Sequence, residues 1–390
     1  MEISSFQELF SKLSSIDLFG KSSGSVVGID VGSSAIKVVQ LKKKNGRAVL
    51  QTYGELSLGP YGSTDVGRST NLPVERLEEA LRDILREANV TTKDAGLAIP
   101  IASSLISLVS MPTLPEKQMA EMIPLEARRY IPLPLTEVSL DWWVVPKEGG
   151  EAEAQTDTTL LPPSPGSPGQ APPGSAGKSD VLLVAVLNEA IQKYRRISTD
   201  LNFENTFFEI EIFSTIRSTL DHGITPVMVL DVGASSTKCY LVEHGVVKDS
   251  HVINRGSQDI TLSLSKALNI PIARAEEMKR TAGLSLDPSN AQARETILLV
   301  LDHVFSEANR VLLAFEKRFQ KSVGKVVLTG GGATMNEFLN TAKSRLQTEV
   351  VIADPFSKTI SPVFLEKTLR QIGPDFAVAI GLALQKLHQS

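Results

Sequence analysis

Hydrophobic positions follow two spacings, alternation and a helical period, and the two kinds of segment succeed one another along the chain. Residues 26–29, 35–41 and 48–56 read as strands, and residues 74–88 predict an amphipathic helix with Leu77, Leu81, Ile84 and Leu85 inward. The same order then recurs. Residues 227–230, 237–242 and 246–252 predict strands, residues 259–267 and 274–281 predict helices, and a long helix over 291–319 leads to a strand at 326–328. Such a chain is an α/β protein built as two halves.

Two segments stand outside this order. At the N-terminus Ile3, Phe6, Leu9, Phe10, Leu13, Ile16 and Phe19 put an apolar stripe on one helix face, followed by a Ser/Gly joint over residues 21–25. Glu2, Glu8 and Asp17 outnumber Lys12 on the polar side, so the stripe suits docking on protein better than a lipid surface, where Lys and Arg prevail. Residues 149–179 hold six of the 21 prolines and almost no large apolar side chains after Leu161, which predicts a disordered insert. Closing a loop of that length costs only about 3 kcal/mol, so it can interrupt a domain without unfolding it.

Composition narrows the function classes. The 390 residues carry 40 Lys+Arg against 44 Asp+Glu, a net charge of -4, which argues against nucleic acid as the main partner. One cysteine, Cys239, and five scattered histidines supply neither a disulfide nor a Cys/His metal site. The longest uncharged run, residues 95–115, is broken by Pro100, Pro112 and Pro115, and no secretion signal opens the chain, so a cytoplasmic protein is expected.

Both halves open with one motif. Gly28, Ile29, Asp30, Val31, Gly32, Ser33, Ser34, Ala35, Ile36 and Lys37 match Leu230, Asp231, Val232, Gly233, Ala234, Ser235, Ser236, Thr237 and Lys238 in their Asp, Val, Gly, Ser and Lys. In each, a strand ends in Asp, a glycine permits a tight turn, and a second strand leaves. Exposed N–H groups in such a turn form an anion cradle, to which Ser33, Ser34 and Ser235 add hydroxyl donors. Asp30 and Asp231 suit Mg²⁺, which is often held through one or two carboxylates. Later, Gly330, Gly331 and Gly332 lie between a strand and a predicted helix, a pattern that suits close backbone approach to a flat or anionic ligand. Glu276 and Lys279 share a helix face, either as a surface ion pair or as ribose and base contacts.

The paired hairpins, the late triple-glycine turn and the small-residue terminal helix over 376–384 resemble the superfamily of actin, sugar kinases and heat-shock ATPases. Residues 28–39, and the run Arg129, Tyr130, Ile131, Pro132, Leu133, Pro134, Leu135, Thr136, Glu137 and Val138, are similar to the PilM family of type IV pilus assembly proteins. The resemblance implies an actin-like (ribonuclease H-like) two-lobed ATPase fold with an inserted subdomain of the type found in the cell-division protein FtsA. It places an N-terminal helix and joint over 1–25 and a first lobe over 26–93, completed by 203–226 and 375–390. The inserted subdomain follows over 94–202, and a second lobe over 227–374 includes a helical part near 260–325. It further implies ATP with Mg²⁺ in the cleft. Asp30, Gly32, Ser33, Ser34 and Lys37 match the first phosphate motif, Asp231, Gly233, Ser235 and Ser236 the second, and Gly330, Gly331 and Gly332 the adenosine motif. Glu276 and Lys279 resemble the base and ribose contacts.

The partner implied is the cytoplasmic N-terminal tail of a PilN-like inner-membrane protein, with other pilus components including the assembly ATPase, a peripheral place at the inner membrane, and room for self-association. Arg128, Arg129, Tyr130 and Trp142 supply charge-assisted donors and aromatic anchors of the kinds enriched at interfaces. Ordinary subdomain core is the alternative reading of the same segment. Hydrolysis needs a group that orients water; Glu211, at the start of the helix after residues 207–210, is the best placed by analogy, so at most slow ATPase activity is expected. An FtsA-like filament that tethers division proteins, and a small-molecule kinase, are the competing functions.

Overall fold

The computed structural model describes residues 24–145, 177–221 and 223–389. The apolar stripe at 3–19 and nearly all of the Pro-rich stretch lie outside the described residues. The first strands are β1 Ser25–Val31, β2 Ala35–Lys44, β3 Arg47–Ser57 and β4 Asp94–Ile99, with helix α1 Val74–Glu87 before β4. Then come β5 Ser104–Pro112, α2 Glu116–Ala127, β6 Val138–Val144, β7 Lys178–Leu187, α3 Asn188–Asp200, β8 Asn205–Ile210 and α4 Glu211–Thr219. The second half holds β9 Val227–Val232, β10 Thr237–Glu243, β11 Val246–Ile253, α5 Ser257–Leu268, α6 Ile272–Thr281, α7 Ala291–Phe319 and β12 Lys325–Thr329. It ends with α8 Phe338–Arg345, β13 Glu349–Ile352, α9 Glu366–Ile372 and α10 Ala377–Gln389.

Two five-stranded sheets share one strand order, β3-β2-β1-β4-β8 and β11-β10-β9-β12-β13. In each, three antiparallel strands are joined by two that run parallel to the first. The repeat of the Asp-Val-Gly motif is therefore the visible part of a repeat of whole sheets.

Strict alternation divides the first sheet between two cores. Val27, Ile29, Ile36 and Val38 face α1 and α3, where Leu77, Leu81, Ile84, Tyr194 and Ile197 are buried. Val26, Val39 and Leu41 face the terminal helix, against Ala379, Ile380, Ala383 and Leu384. Each fully buried aliphatic side chain contributes about 1.5–3 kcal/mol, so the inward stripe of α1 alone accounts for its docking. Gly28 points toward α10, and a Cβ there would lie 1.9 Å from the Ala379 carbonyl oxygen. The helix rests directly on strand backbone. The same closeness joins α10 to α4, since a Cβ on Gly381 would lie 1.9 Å from the Ser214 carbonyl oxygen.

In the second sheet Met228, Leu230, Cys239 and Leu241 pack on α5 and α7, and burial pushes the Cys239 thiol up to about 12. Val229, Tyr240, Val242, Val246 and Val247 join the core of the first lobe and of the inserted strands, so the two halves share one continuous apolar interior.

The inserted unit has its own antiparallel sheet, β5-β7-β6. Its core sets Met119, Ile123 and Ala127 of α2 against Val109, Met111, Val181 and Leu183. This sheet is narrower than the 94–202 expected from the resemblance. β4 is the fourth strand of the first lobe, and α3 packs there through Tyr194 and Ile197, because an apolar strand looks alike whether it fills one sheet or the next. The triple glycine also differs from expectation. Gly330 adopts φ +84° and Gly331–Thr334 forms a 3-10 turn; α8 begins only at Phe338.

Candidate functional site

The two repeated hairpins face each other across a cleft of about 310 Å³, at the lower end of the range for small-molecule sites. Their geometry is matched. Asp30 pairs with Lys37 and Asp231 with Lys238 in register, and the turns close through Gly32 N–H to Ala35 O and Gly233 N–H to Ser236 O, both at 3.0 Å. A Cβ on Gly32 would lie 2.9 Å, and one on Gly233 3.0 Å, from those same carbonyl oxygens. The glycines are thus demanded by turn closure itself.

Outside each turn, other backbone occupies the carbonyls. Thr70 N–H and Leu58 N–H donate to Ser33 O and Ser34 O, each at 2.8 Å, while Ser257 N–H and Gln258 N–H donate to Gly233 O and Ala234 O at 2.9 and 3.0 Å. Gly256, which caps α5, lies so close that a Cβ would sit 2.3 Å from Ala234 O. The N–H groups of Ser33, Ser34, Ala234 and Ser235 have no acceptor among the described residues, nor have the hydroxyls of Ser33, Ser34, Ser235 and Ser236. Unpaired donors converging from two turns fit a polyanion such as a nucleotide's phosphates.

Two crossing helices deliver acids to the two hairpin lysines. Glu211 opens α4, after the last strand of the first lobe, and accepts from Lys238 Nζ of the second lobe at 2.6 Å. Asp375 precedes α10, after the last strand of the second lobe, and pairs with Lys37 of the first lobe at 2.7 Å. Asp375 is held there because Gly330 N–H and Thr329 Oγ1 both donate to Pro374 O at 2.9 Å. Burial pulls the Lys37 ammonium down, but Asp375, Asp30 and Glu55 outweigh it and hold the proton on.

The two aspartates differ. Asp231 Oδ2 accepts from Tyr240 Oη at 2.9 Å and from Lys238 at 3.3 Å. Among the described residues no hydrogen bond or ion pair engages the Asp30 carboxylate. The Asp30 carboxyl is pushed up to about 7, chiefly by burial, with Lys37 and Lys238 pulling it down and Glu211 and Asp231 adding to the rise. Of the two aspartates expected at a metal, Asp231 thus shares its Oδ2 between Tyr240 and Lys238, while its Oδ1 and both Asp30 oxygens accept no hydrogen bond among the described residues. Among the described residues no group of three or more His, Cys, Asp or Glu could hold a metal ion. Glu211 reaches the cleft as expected, but its oxygens are taken by Ile101 N–H at 2.7 Å and by Lys238, which leaves a poor water-orienting base.

Other expected residues fall elsewhere. Gly330 and Gly331 line the cleft, whereas Gly332 is buried where a Cβ would meet Val232 Cγ1 at 2.4 Å, so it serves packing. Glu276 and Lys279 do share a helix face, at 2.7 Å, but they do not line the cleft. Thr261 and Arg280 complete their cluster, and burial, which alone would raise the Glu276 carboxyl, is more than offset by Lys279, Thr261 and Arg280. Gly67 lies over this cluster at φ +85°, where a Cβ would be 2.4 Å from Glu276 Cδ. It belongs to a strap between β3 and α1 that also donates Ser69 N–H to Gln258 Oε1 at 3.0 Å. Sequence reasoning missed the strap, and it missed Lys193 of α3, which lines the cleft with no carboxylate partner among the described residues. No local motif marks either one.

In the inserted unit Arg128 and Arg129 are exposed, Arg129 paired with Glu126 at 3.0 Å. Tyr130, Leu125 and Leu133 are exposed as well. Trp142 instead packs on the unit's own core, and Trp143 on the core of the first lobe, so neither indole is a free anchor.

A sequence profile described as type IV pilus assembly protein PilM matches residues 28–161 and 170–387. The cell division protein FtsA of Buchnera aphidicola subsp. Baizongia pistaciae is 23% identical over 185 residues, 39% of this chain, and the match spans 44% of that protein's length. Among solved structures, a PilM-PilN type IV pilus biogenesis complex gives a TM-score of 0.73 at 23% identity, covering 93% of this chain and 98% of that one. The ethanolamine utilization protein EutJ from Carboxydothermus hydrogenoformans gives 0.50 at 15% identity, covering 97% and 98%. MreB5 of Spiroplasma citri bound to ADP gives 0.50 at 10% identity, covering 94% and 99%.

Proposed function

The chain belongs to the type IV pilus assembly protein PilM family and has an actin-like, two-lobed fold; we propose that it is an ATP-binding scaffold of the pilus machine that grips the cytoplasmic N-terminal tail of a PilN-like inner-membrane protein. The observation that carries the nucleotide part is the pair of facing turns whose N–H and hydroxyl donors have no acceptor among the described residues. They would take the phosphate tail, with Lys193 as the added cation on the cleft wall. When bound, ATP supplies a polyanion that links the two turns and so ties the lobes together. The saturated oxygens of Glu211 favour holding nucleotide over fast turnover.

The partner would bind at the inserted unit, where Tyr130, Leu125 and Leu133 are exposed beside Arg128 and Arg129. Aromatic and arginine anchors of this kind dominate binding energy at interfaces. No helix among the described residues is long and apolar enough to cross a membrane, so a place at the inner membrane would come through that partner. Contacts with other parts of the machine, including its assembly ATPase, belong to the same reading.

Titration calorimetry with a synthetic N-terminal tail of the PilN-like protein tests the scaffold. Binding that weakens about tenfold in Tyr130→Ala supports it, a change of about 1.4 kcal/mol. No heat with or without ATP overturns it.

A further inference from the structure

Apart from the cleft and the inserted unit, the chain carries two apolar features. One lies beside the first sheet, at the end away from the cleft. Ile360, Pro362, Val363 and Phe364 are exposed there, Val363 at 79% and Phe364 at 82%. Single apolar side chains on a surface are ordinary, whereas a run of them marks a contact. Nor is the run loosely held. Ile360 N–H donates to Ala48 O at 2.8 Å, Leu50 N–H donates to Ile360 O at 2.9 Å, and Leu365 packs on the core shared by α9 and α10. Val363–Leu365 forms a 3-10 turn, closed by Leu365 N–H to Pro362 O at 2.9 Å, so Val363 and Phe364 are presented outward.

The other feature is the apolar stripe at 3–19, which lies outside the described residues and whose helical spacing calls for a surface to bury against. The chain it leads into starts at the same end of the sheet. Ser25 pairs with Lys42, Lys42 with Val49, and Val49 bridges to Ile360. Three strand spacings separate Ser25 from Ile360 by about 14 Å. The joint of residues 20–24 spans at most about 17 Å, so the patch is within reach of the same chain. A tether this short sets an effective concentration in roughly the millimolar range, which favours a chain's own patch over that of another copy. Charge agrees with this. Lys42, Lys43, Lys44 and Arg47 are exposed beside that path and form no ion pair among the described residues, while Glu2, Glu8 and Asp17 outnumber Lys12 in the stripe. An anionic lipid surface would repel those acidic positions.

We propose that Ile360, Val363 and Phe364 form the docking site for residues 3–19 of this same chain. The docking requires neither a nucleotide nor the PilN-like tail.

Hydrogen exchange of the full chain, read by mass spectrometry, tests it. Amides of residues 3–19 are expected to exchange about tenfold or more slowly than in a synthetic peptide of the same sequence. Val363→Ser with Phe364→Ser should return them to the peptide rate. Both side chains are exposed, so the melting temperature of that variant should stay unchanged, which separates lost docking from lost folding. Peptide-rate exchange in the wild type, or slow exchange that survives in the double variant, overturns the proposal. Slow exchange that appears only at high protein concentration assigns a second copy instead, and slow exchange only with phosphatidylglycerol vesicles assigns a lipid surface; either result also overturns it.

Discussion

The hairpins of β1-β2 and β9-β10 share a motif, a register and a turn-closing hydrogen bond of 3.0 Å, yet their carboxylates end in opposite states. Asp231 is held by Lys238 and Tyr240, whereas the Asp30 carboxylate has no hydrogen bond or ion pair among the described residues. The difference does not arise in the hairpins. It comes from which acid each crossing helix brings: Glu211 reaches Lys238 and leaves that lysine close to Asp231, while Asp375 draws Lys37 toward the other lobe. Equal local sequence secures equal backbone, and the partner lobe decides the chemistry of the side chains.

The comparison breaks most severely at Gly28, whose counterpart in the second motif is Val229. Gly28→Val would drive a side chain into the Ala379 carbonyl, 1.9 Å from the ideal Cβ, and α10 would have to leave the sheet. A loss of about 3 kcal/mol or more is expected, read as a fall in the urea midpoint. An unchanged midpoint would mean that α10 does not rest on β1.

Exchanging the lysines gives the next largest effect. Lys238→Met strands two carboxylates and should cost about 3 kcal/mol, against about 2 for Lys37→Met, which strands one paired acid. Equal losses in denaturant titrations would erase the asymmetry between the hairpins.

Protonation sharpens it further. The folded Asp30 carboxyl titrates at about 7 against an ordinary 3.8, so the folded state binds the extra proton and stability falls as pH rises from about 4 through 7. Asp30→Asn should therefore stabilise the ligand-free protein by about 1–2 kcal/mol at pH 8 and by nothing near pH 4. Asp231→Asn, which removes a satisfied carboxylate, should destabilise at pH 8. Thermal melts at both pH values separate the two.

The smallest effect concerns Lys193. Lys193→Ala should leave the melting temperature unchanged and weaken ATP binding about fivefold, or about 1 kcal/mol, by calorimetry. An unaltered affinity would remove it from the phosphate site.

Much of this was legible before any coordinates. Alternation over residues 26–29 and 35–41 and the helical spacing of Leu77, Leu81 and Ile84 located β1, β2 and α1, because burial on one face imposes its period on the chain. The doubled Asp-Val-Gly motif announced the doubled sheet. What failed has a common cause. β4 was placed in the inserted unit, Gly332 in the ligand site, and Glu276 and Lys279 on the cleft wall. Each residue was correctly typed for its local element, but none carries a local sign of which neighbour it meets. The strap around Gly67 and the lysine at 193 escaped notice for the same reason.

Sequence alone determined the elements, their doubling and the two glycine turns, since these depend on periodicity and on backbone geometry within a few residues. Only the tertiary structure decided that the Asp231 carboxylate is hydrogen-bonded and that of Asp30 is not, that Glu211 is occupied, and that Lys238 bridges Glu211 and Asp231 across the lobes. Those outcomes depend on charges brought together from positions up to hundreds of residues apart. At a separation of a few ångströms inside a protein, such charges interact strongly enough to override any local preference.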